Sequence, residues 1–395
     1  MIISTKKTIL FSLIPVMALL LLGEIILRVW EHHTPPHEAY PDRLTNVAYT
    51  TKPWFSEEFL IASFSQPGGW VTPKGTNLVF PKDYQDKYFT VIRGIRRTTG
   101  WNREFGGSES VRVFVVGGST TYCSEVPDDL TWPSKLQCCL NAVETTKCAR
   151  VLNYGVTSVK SNQELERLKF EIAKGDVPDI CIFYDGTNDI CQGVYNKDPR
   201  GFIFRTELEY KGKWYVKLER LSIVRFVCKL CRKFTGAPTH LLNRSQVRRL
   251  AMETARIYEQ SIREAKRVCE ACGADLFVFL QPSLFTIKRP LNDHEKGIER
   301  KARPGMKRCF EETFPLLQER IAILRREGTN AFDLSGVFDT NDKPIFLDFC
   351  HVESDGNEII AEAVYQHVKE RIKNLCQDRW QVASVKADDL CMGQE

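Results

Sequence analysis

Three residues in two short stretches of this sequence could together break an acyl bond. They are Ser119 in Gly117-Gly118-Ser119-Thr120-Thr121, and Asp348 and His351 in Asp348-Phe349-Cys350-His351. A serine hydroxyl becomes a nucleophile when a neighbouring base takes its proton, and imidazole is the base that titrates near neutrality. The chain has seven histidines, few enough for elimination. His32, His33 and His37 lie in a polar N-terminal stretch, His240 and His294 in polar insert-like sequence, and His367 inside the last helix. His351 alone stands at a loop-to-helix junction with an acid just before it. Asp348 is placed to bind its Nδ1–H and fix the tautomer that turns Nε2 toward Ser119. Cys350 offers a rival thiol nucleophile. It is set aside because no strand-end glycine turn precedes it and the adjacent His351 side chain points elsewhere.

Acyl transfer also needs donors for an oxyanion. The backbone N–H groups of Ser119 and Gly155 and the side-chain amide of Asn188 suit that task, since an amide does not titrate and glycine lets substrate approach. Asp189 is expected to be structural, holding its turn by local hydrogen bonds. Taken singly, each residue has a plainer account: Ser119 a helix cap, Gly155 a turn glycine, Asn188 a turn residue. Their joint placement is what argues for chemistry.

That placement follows from the elements. Val111 to Val116 is a nearly continuous apolar run, the pattern of a parallel strand covered on both faces. Further strands are predicted at 149–156, 179–184, 274–280 and 331–337. Helical spacing lies between them at Thr131-Trp132-Pro133 onward, from a Ser161/Glu164 capping box onward, at 246–270 and at 306–326. Strand alternating with helix predicts an α/β fold with a five-stranded parallel sheet. In such a sheet the carboxyl ends of the strands share one edge, where ligands bind. Ser119, Gly155, Asn188 and the Asp348–His351 loop all fall there. A final helix is expected from about Asp355 to Leu375, with a loose tail after Trp380.

GGSTT, NYGV, DGTND and DFCH in this order resemble the blocks of the SGNH (GDSL-like) hydrolase superfamily. The resemblance spans about residues 111–375. It implies a flavodoxin-like three-layer α/β/α sandwich, Ser-His-Asp catalysis, and hydrolysis of acyl esters, acetyl among them, on a carbohydrate or lipid. Gly118 stands where the GDSL pattern has Asp, and Thr120 where it has Leu, which weakens transfer of any specific substrate. Two alternatives stay open: an O-acyltransferase acting on a cell-surface polysaccharide with the same triad, and a non-catalytic polysaccharide-binding module. The α/β-hydrolase elbow G-x-S-x-G fits less well because Thr121 occupies its second glycine position, and P-loop and G-x-G-x-x-G patterns are absent.

The remaining sequence sets the context. The formal charge is +5, from 55 basic and 50 acidic residues. No long basic run accompanies it, so nucleic acid is not an expected partner. Lys6 and Lys7 precede a mostly apolar stretch reaching Trp30, interrupted by Glu24 and Arg28. It is expected to be an N-terminal transmembrane helix that anchors the chain in a membrane with the catalytic domain outside the cytoplasm, with a cleaved signal peptide as the competing account of the same pattern. Five segments result: an anchor (residues 1–30), a polar linker and small β-rich extension (31–110), the catalytic domain (111–376) with an insertion at about 191–243, and a tail (377–395). Short strands and turns rather than helix are expected over 54–102. Of 14 cysteines, Cys228/Cys231 and Cys269/Cys272 have C-x-x-C spacing. Both pairs fall in helical sequence, where that spacing only places small apolar residues on one face. No metal or organic cofactor is implied.

Overall fold

In the computed structural model, the described residues are 5–33, 41–65, 70–73, 76, 78–101, 110–201, 222–224 and 242–392. Most of the expected insertion, with Cys228, Cys231 and His240, lies outside them, as does His37. The strands are β1 (Trp70–Val71), β2 (Phe80–Pro81), β3 (Tyr84–Gln85), β4 (Thr90–Ile92), β5 (Ile95–Arg96), β6 (Val111–Gly117), β7 (Ala149–Asn153), β8 (Ile180–Asp185), β9 (Asp275–Leu280) and β10 (Asn330–Asp333). The helices are α1 (Thr5–His33), α2 (Pro41–Leu44), α3 (Val47–Thr50), α4 (Glu57–Ser65), α5 (Ser119–Tyr122), α6 (Trp132–Asn141), α7 (Ser161–Ala173), α8 (Arg244–Ala271), α9 (Asp293–Lys301), α10 (Met306–Arg326) and α11 (Ser354–Met392).

The five expected strands, β6 to β10, pair in parallel in the order β10-β9-β8-β6-β7. β6 lies inside the sheet because Val111, Val113 and Val115 pack on one face while Phe114 and Val116 pack on the other. Helices α7, α8 and α10 cover the second face, α6 and α11 the first. The layering is α/β/α, but the sheet has eight strands rather than five. β5 pairs antiparallel with β7 through Arg96 and Asn153, and β4 and β3 continue outward. The small β-rich extension therefore joins the main sheet by main-chain pairing. A separate two-stranded sheet, β1-β2, stands beside it.

Three expectations change. Helix α4 forms within the stretch expected to be strand and turn; its sequence EEFLIASFS opens with two acids, which suit a helix N-terminus. Ser161 and Glu164 do not form a capping box. Lys160 is the N-cap, the Lys160 N–H meets Gln163 Oε1 at 3.4 Å, and Ser161 Oγ donates to Asp189 Oδ1 at 2.6 Å. Helix α11 continues past Trp380 to Met392, where a tail without regular structure was expected. Among the described residues no helix is long and apolar enough to cross a membrane. The sequence expectation counted apolar residues on both sides of Glu24. That carboxylate pairs with Arg28 at 2.6 Å and accepts the Ile223 N–H at 2.9 Å, which ties it to polar groups of the chain itself.

Cys148, just before β7, and Cys376 on α11 form a disulfide with Cα atoms 6.1 Å apart. Cys269 and Cys272 are free thiols at the end of α8, and the Cys272 thiol points to the Cys269 carbonyl.

Under the strand ends lies a cluster of buried carboxyls, Glu164, Asp185 and Asp189. Glu164 and Asp185 face one another there, with the Tyr258 hydroxyl beside Asp185. Burial, reinforced by Asp189, pushes Asp185 up to about 8, and burial with Asp185 beside it pushes Glu164 up as well. The fold thus holds protons that the unfolded chain releases near pH 4, and its stability falls as pH rises from there toward 8. Asp185→Asn is expected to flatten the pH dependence of Tm and to raise Tm at pH 8 by about 2–4 °C per kcal/mol recovered. Thermal melts of both proteins between pH 5 and 9 check this; parallel curves would refute it.

Candidate active site

Ser119 opens helix α5 directly after Gly117 and Gly118. The turn needs both glycines. A Cβ on Gly117 would collide with Thr121 Oγ1 and the Tyr184 carbonyl, and one on Gly118 with Asn188 Nδ2. Gly118, where the GDSL pattern has Asp, is therefore the position against which the Asn188 amide packs. Buried Arg96 steadies the chain after the serine, donating to the carbonyls of Tyr122, Cys123 and Val126 and pairing with Asp128 at 3.2 Å.

His351 and Asp348 arrive on the loop before α11. The loop closes on itself through the Leu347 N–H to the His351 carbonyl (2.9 Å) and a bridge between Phe346 and Val352. It is clamped from outside by Ser283 Oγ and the Leu284 N–H, both donating to Phe349 O, and by His294 Nε2 at 2.7 Å from Phe346 O. Inside it, Asp348 Oδ1 accepts the backbone N–H groups of Cys350 and His351 at 3.0 and 2.9 Å.

His351 Nε2 lies 2.7 Å from Ser119 Oγ, and Nδ1 lies 2.8 and 3.0 Å from the two oxygens of Asp348. The structure thus brings together residues 232 positions apart in the chain. Burial draws the imidazole pKa down, but Asp348 first, with Glu125 behind it, more than offsets it and holds His351 well above its ordinary value. Burial works upward on Asp348, yet His351 and Arg43 keep its carboxyl well below the usual carboxylate range. Burial pushes the Cys350 thiol up to about 11, so at neutral pH it is protonated and a poor nucleophile.

Asn188 reaches the same site, its amide beside Gly118. Gly155 does not. Its N–H donates to Asn153 Oδ1 at 2.9 Å, and a Cβ there would strike the backbone of Thr121 and Tyr122. Glycine at 155 serves close packing beneath the nucleophile turn, and the oxyanion role expected for it is corrected. Ser158 occupies the rim instead: it is exposed, lines the cavity with Ser119 and Asn188, and sits at φ +65°, a left-handed conformation costly for serine. Asp189 is held by Ser161 on α7 rather than by local bonds.

Several contributors were not legible as such. The stretch expected to be a plain linker supplies Arg43, whose Nη2 is 3.2 Å from Asp348 Oδ2, and Asn46, whose amide donates to Leu347 O at 3.3 Å. Tyr49, with Ala48, Phe59 and Phe89, packs an aromatic cluster against Leu347. Glu125 brings a carboxylate 3.8 Å from His351 Nε2. The aromatic density of this region was the only signal of its docking.

The site opens into a cavity of about 810 Å³. Its walls include Gln192, Tyr195 and Asn196 on one side and Arg303 and Met306 on another.

No protein-family model matches this chain, and no curated protein does. Among solved structures, it is similar to an acetylxylan esterase from Geobacillus stearothermophilus, with 13% identity over 67% of this chain and 95% of that one and a TM-score of 0.37. It is also similar to a member of the lipolytic G-D-S-L family from Veillonella parvula, with 11% identity over 66% and 96% and a TM-score of 0.38. A third is TesA, with 14% identity over 66% and 98% and a TM-score of 0.36. At such identities and scores these likenesses decide neither substrate nor residue roles.

Proposed function

We propose that this chain is an SGNH-type serine esterase acting on acyl esters of a hydroxyl-rich, saccharide-like substrate. The observation that carries the proposal is the hydrogen-bonded relay from Ser119 through His351 to Asp348, facing a cavity of about 810 Å³. Ser119 Oγ attacks the ester carbonyl while His351 Nε2 takes its proton, and Asp348 stabilises the imidazolium that forms. The oxyanion is met by the amide of Asn188 and the backbone N–H groups of Ser119 and Ser158, the last in place of Gly155. His351 then returns its proton to the leaving alcohol, and water repeats the sequence to release the acid. Arg43 and Asn46 hold the acid-bearing loop in register.

The amides of Asn188, Gln192 and Asn196 and the guanidinium of Arg303 favour a polar acyl bearer over a purely aliphatic one. A fluorophosphonate probe is expected to label Ser119, located by mass spectrometry, and acetyl-saccharide esters are expected to be turned over in water. Labelling without hydrolysis, but with acyl transfer to an added sugar, would favour the transferase. Absence of labelling would sink the serine mechanism and favour a binding module.

A further inference from the structure

Cys350 has no part in the relay, yet its thiol sits against it. Sγ lies 3.5 Å from His351 Nδ1 and 3.6 Å from Asp348 Oδ1, and Nδ1 lies 3.0 Å from that same oxygen. These three atoms form a triangle of one sulfur, one nitrogen and one oxygen, the donor types that a borderline-soft divalent cation takes. Zinc bound at about 2.3 Å to sulfur and about 2.0–2.2 Å to nitrogen and oxygen in tetrahedral geometry would separate the donors by about 3.6, 3.6 and 3.4 Å. Both edges at sulfur already have that length; the carboxylate–imidazole edge must open by about 0.4 Å. Asp348 Oδ2 stays with Arg43, and Oδ1, which accepts the Cys350 and His351 backbone N–H groups, gives up one of those bonds to the ion. All three residues line the cavity, which gives an ion its path and leaves a fourth position for water.

We propose that Asp348, Cys350 and His351 form an inhibitory site for Zn²⁺ built into the catalytic loop. Binding replaces the proton of the Cys350 thiol, which leaves to solvent, with a zinc–sulfur bond. It also takes the Nδ1 lone pair, so the imidazole proton moves from Nδ1 to Nε2. His351 then donates to Ser119 instead of accepting from it, and the nucleophile cannot be activated. A bound zinc ion and a working base exclude each other because both need the same ring in opposite tautomers. The inhibition rests on the esterase reading; the binding does not.

Two measurements separate them. Co²⁺ added to the wild-type chain is expected to give a near-ultraviolet thiolate-to-metal charge-transfer band that Zn²⁺ abolishes. The band should be missing in Cys350→Ala and retained in Cys191→Ala, which removes the other thiol lining the cavity among the described residues. In parallel, the Zn²⁺ concentration that halves ester turnover should rise about tenfold or more in Cys350→Ala, while turnover without metal is kept and Mg²⁺ has no effect. If the alanine variant does not fold, Cys350→Ser keeps the volume and should weaken Zn²⁺ inhibition in the same direction. A chain without esterase activity would still show the band, so failure of the esterase reading leaves the site testable. The proposal is overturned if Cys350→Ala keeps the wild-type band, if the band follows Cys191, or if wild type and variant are equally sensitive to Zn²⁺.

Discussion

Ser119→Ala and His351→Ala are each expected to lower kcat by about 10⁴-fold or more, and the double variant to be scarcely worse than either. In the proposed mechanism Oγ and Nε2, 2.7 Å apart, perform one step between them, so removing the second after the first has nothing left to remove. Asp348→Asn should cost a comparable amount or somewhat less, because it misorients the imidazole while leaving the nucleophile in place. Cys350→Ala should retain turnover, since its thiol is held protonated by burial and lies on the Nδ1 side of the ring, away from Ser119. Loss of activity in the cysteine variant alone would overturn the serine assignment. The pH profile carries a second test. His351 must be neutral to accept a proton, and Asp348 and Glu125 raise its pKa, so kcat/KM should fall as pH drops through a value above 6.5. Glu125→Gln should move that limb to lower pH. A limb unmoved by this change would remove Glu125 from the electrostatics of the site.

Asn188→Ala is expected to reduce kcat by about 10²–10³-fold with little change in KM, the usual result of losing one preorganised oxyanion donor. Folding should survive, because Asn188 is half-buried on the cavity wall, so truncating it opens space toward solvent rather than inside the core. The amide rests on Gly118, so Gly118→Ala should reproduce part of the loss by pushing it aside. Melting curves of the two variants beside their kcat values make the check. Full activity in Asn188→Ala would exclude this loop from the oxyanion site.

The strand ends were legible because burial on both faces leaves a strong imprint. Val111 to Val116 could be little else than an inner strand, and the glycine-serine turn and the final helix follow local rules of backbone geometry. Histidine scarcity made His351 identifiable without any fold at all. The extension was harder. Short strands β3 to β5 have two or three residues each, too few for a period to register, and their pairing with β7 is a long-range event. Arg43 and Asn46 sit in polar sequence typical of a linker, and what recruits them is the aromatic cluster behind Leu347.

Gly155 and Ser158 mark the division most clearly. Residue type pointed to glycine as the open donor, because a glycine N–H can approach anything. In the folded chain Asn153 takes that N–H, and the backbone beneath the nucleophile fills the space a side chain would need. Ser158 carries no such mark in its type, since a positive φ on serine is imposed by its surroundings. Local chemistry, a hydroxyl after a tight turn and an acid three residues before an imidazole, can be written in a dozen residues of sequence. Which N–H groups remain free, which carboxylate faces Nε2, and whether a thiol lies within reach of Nδ1 depend on the paths of chain segments far apart in sequence, and those are set by packing across the whole sheet.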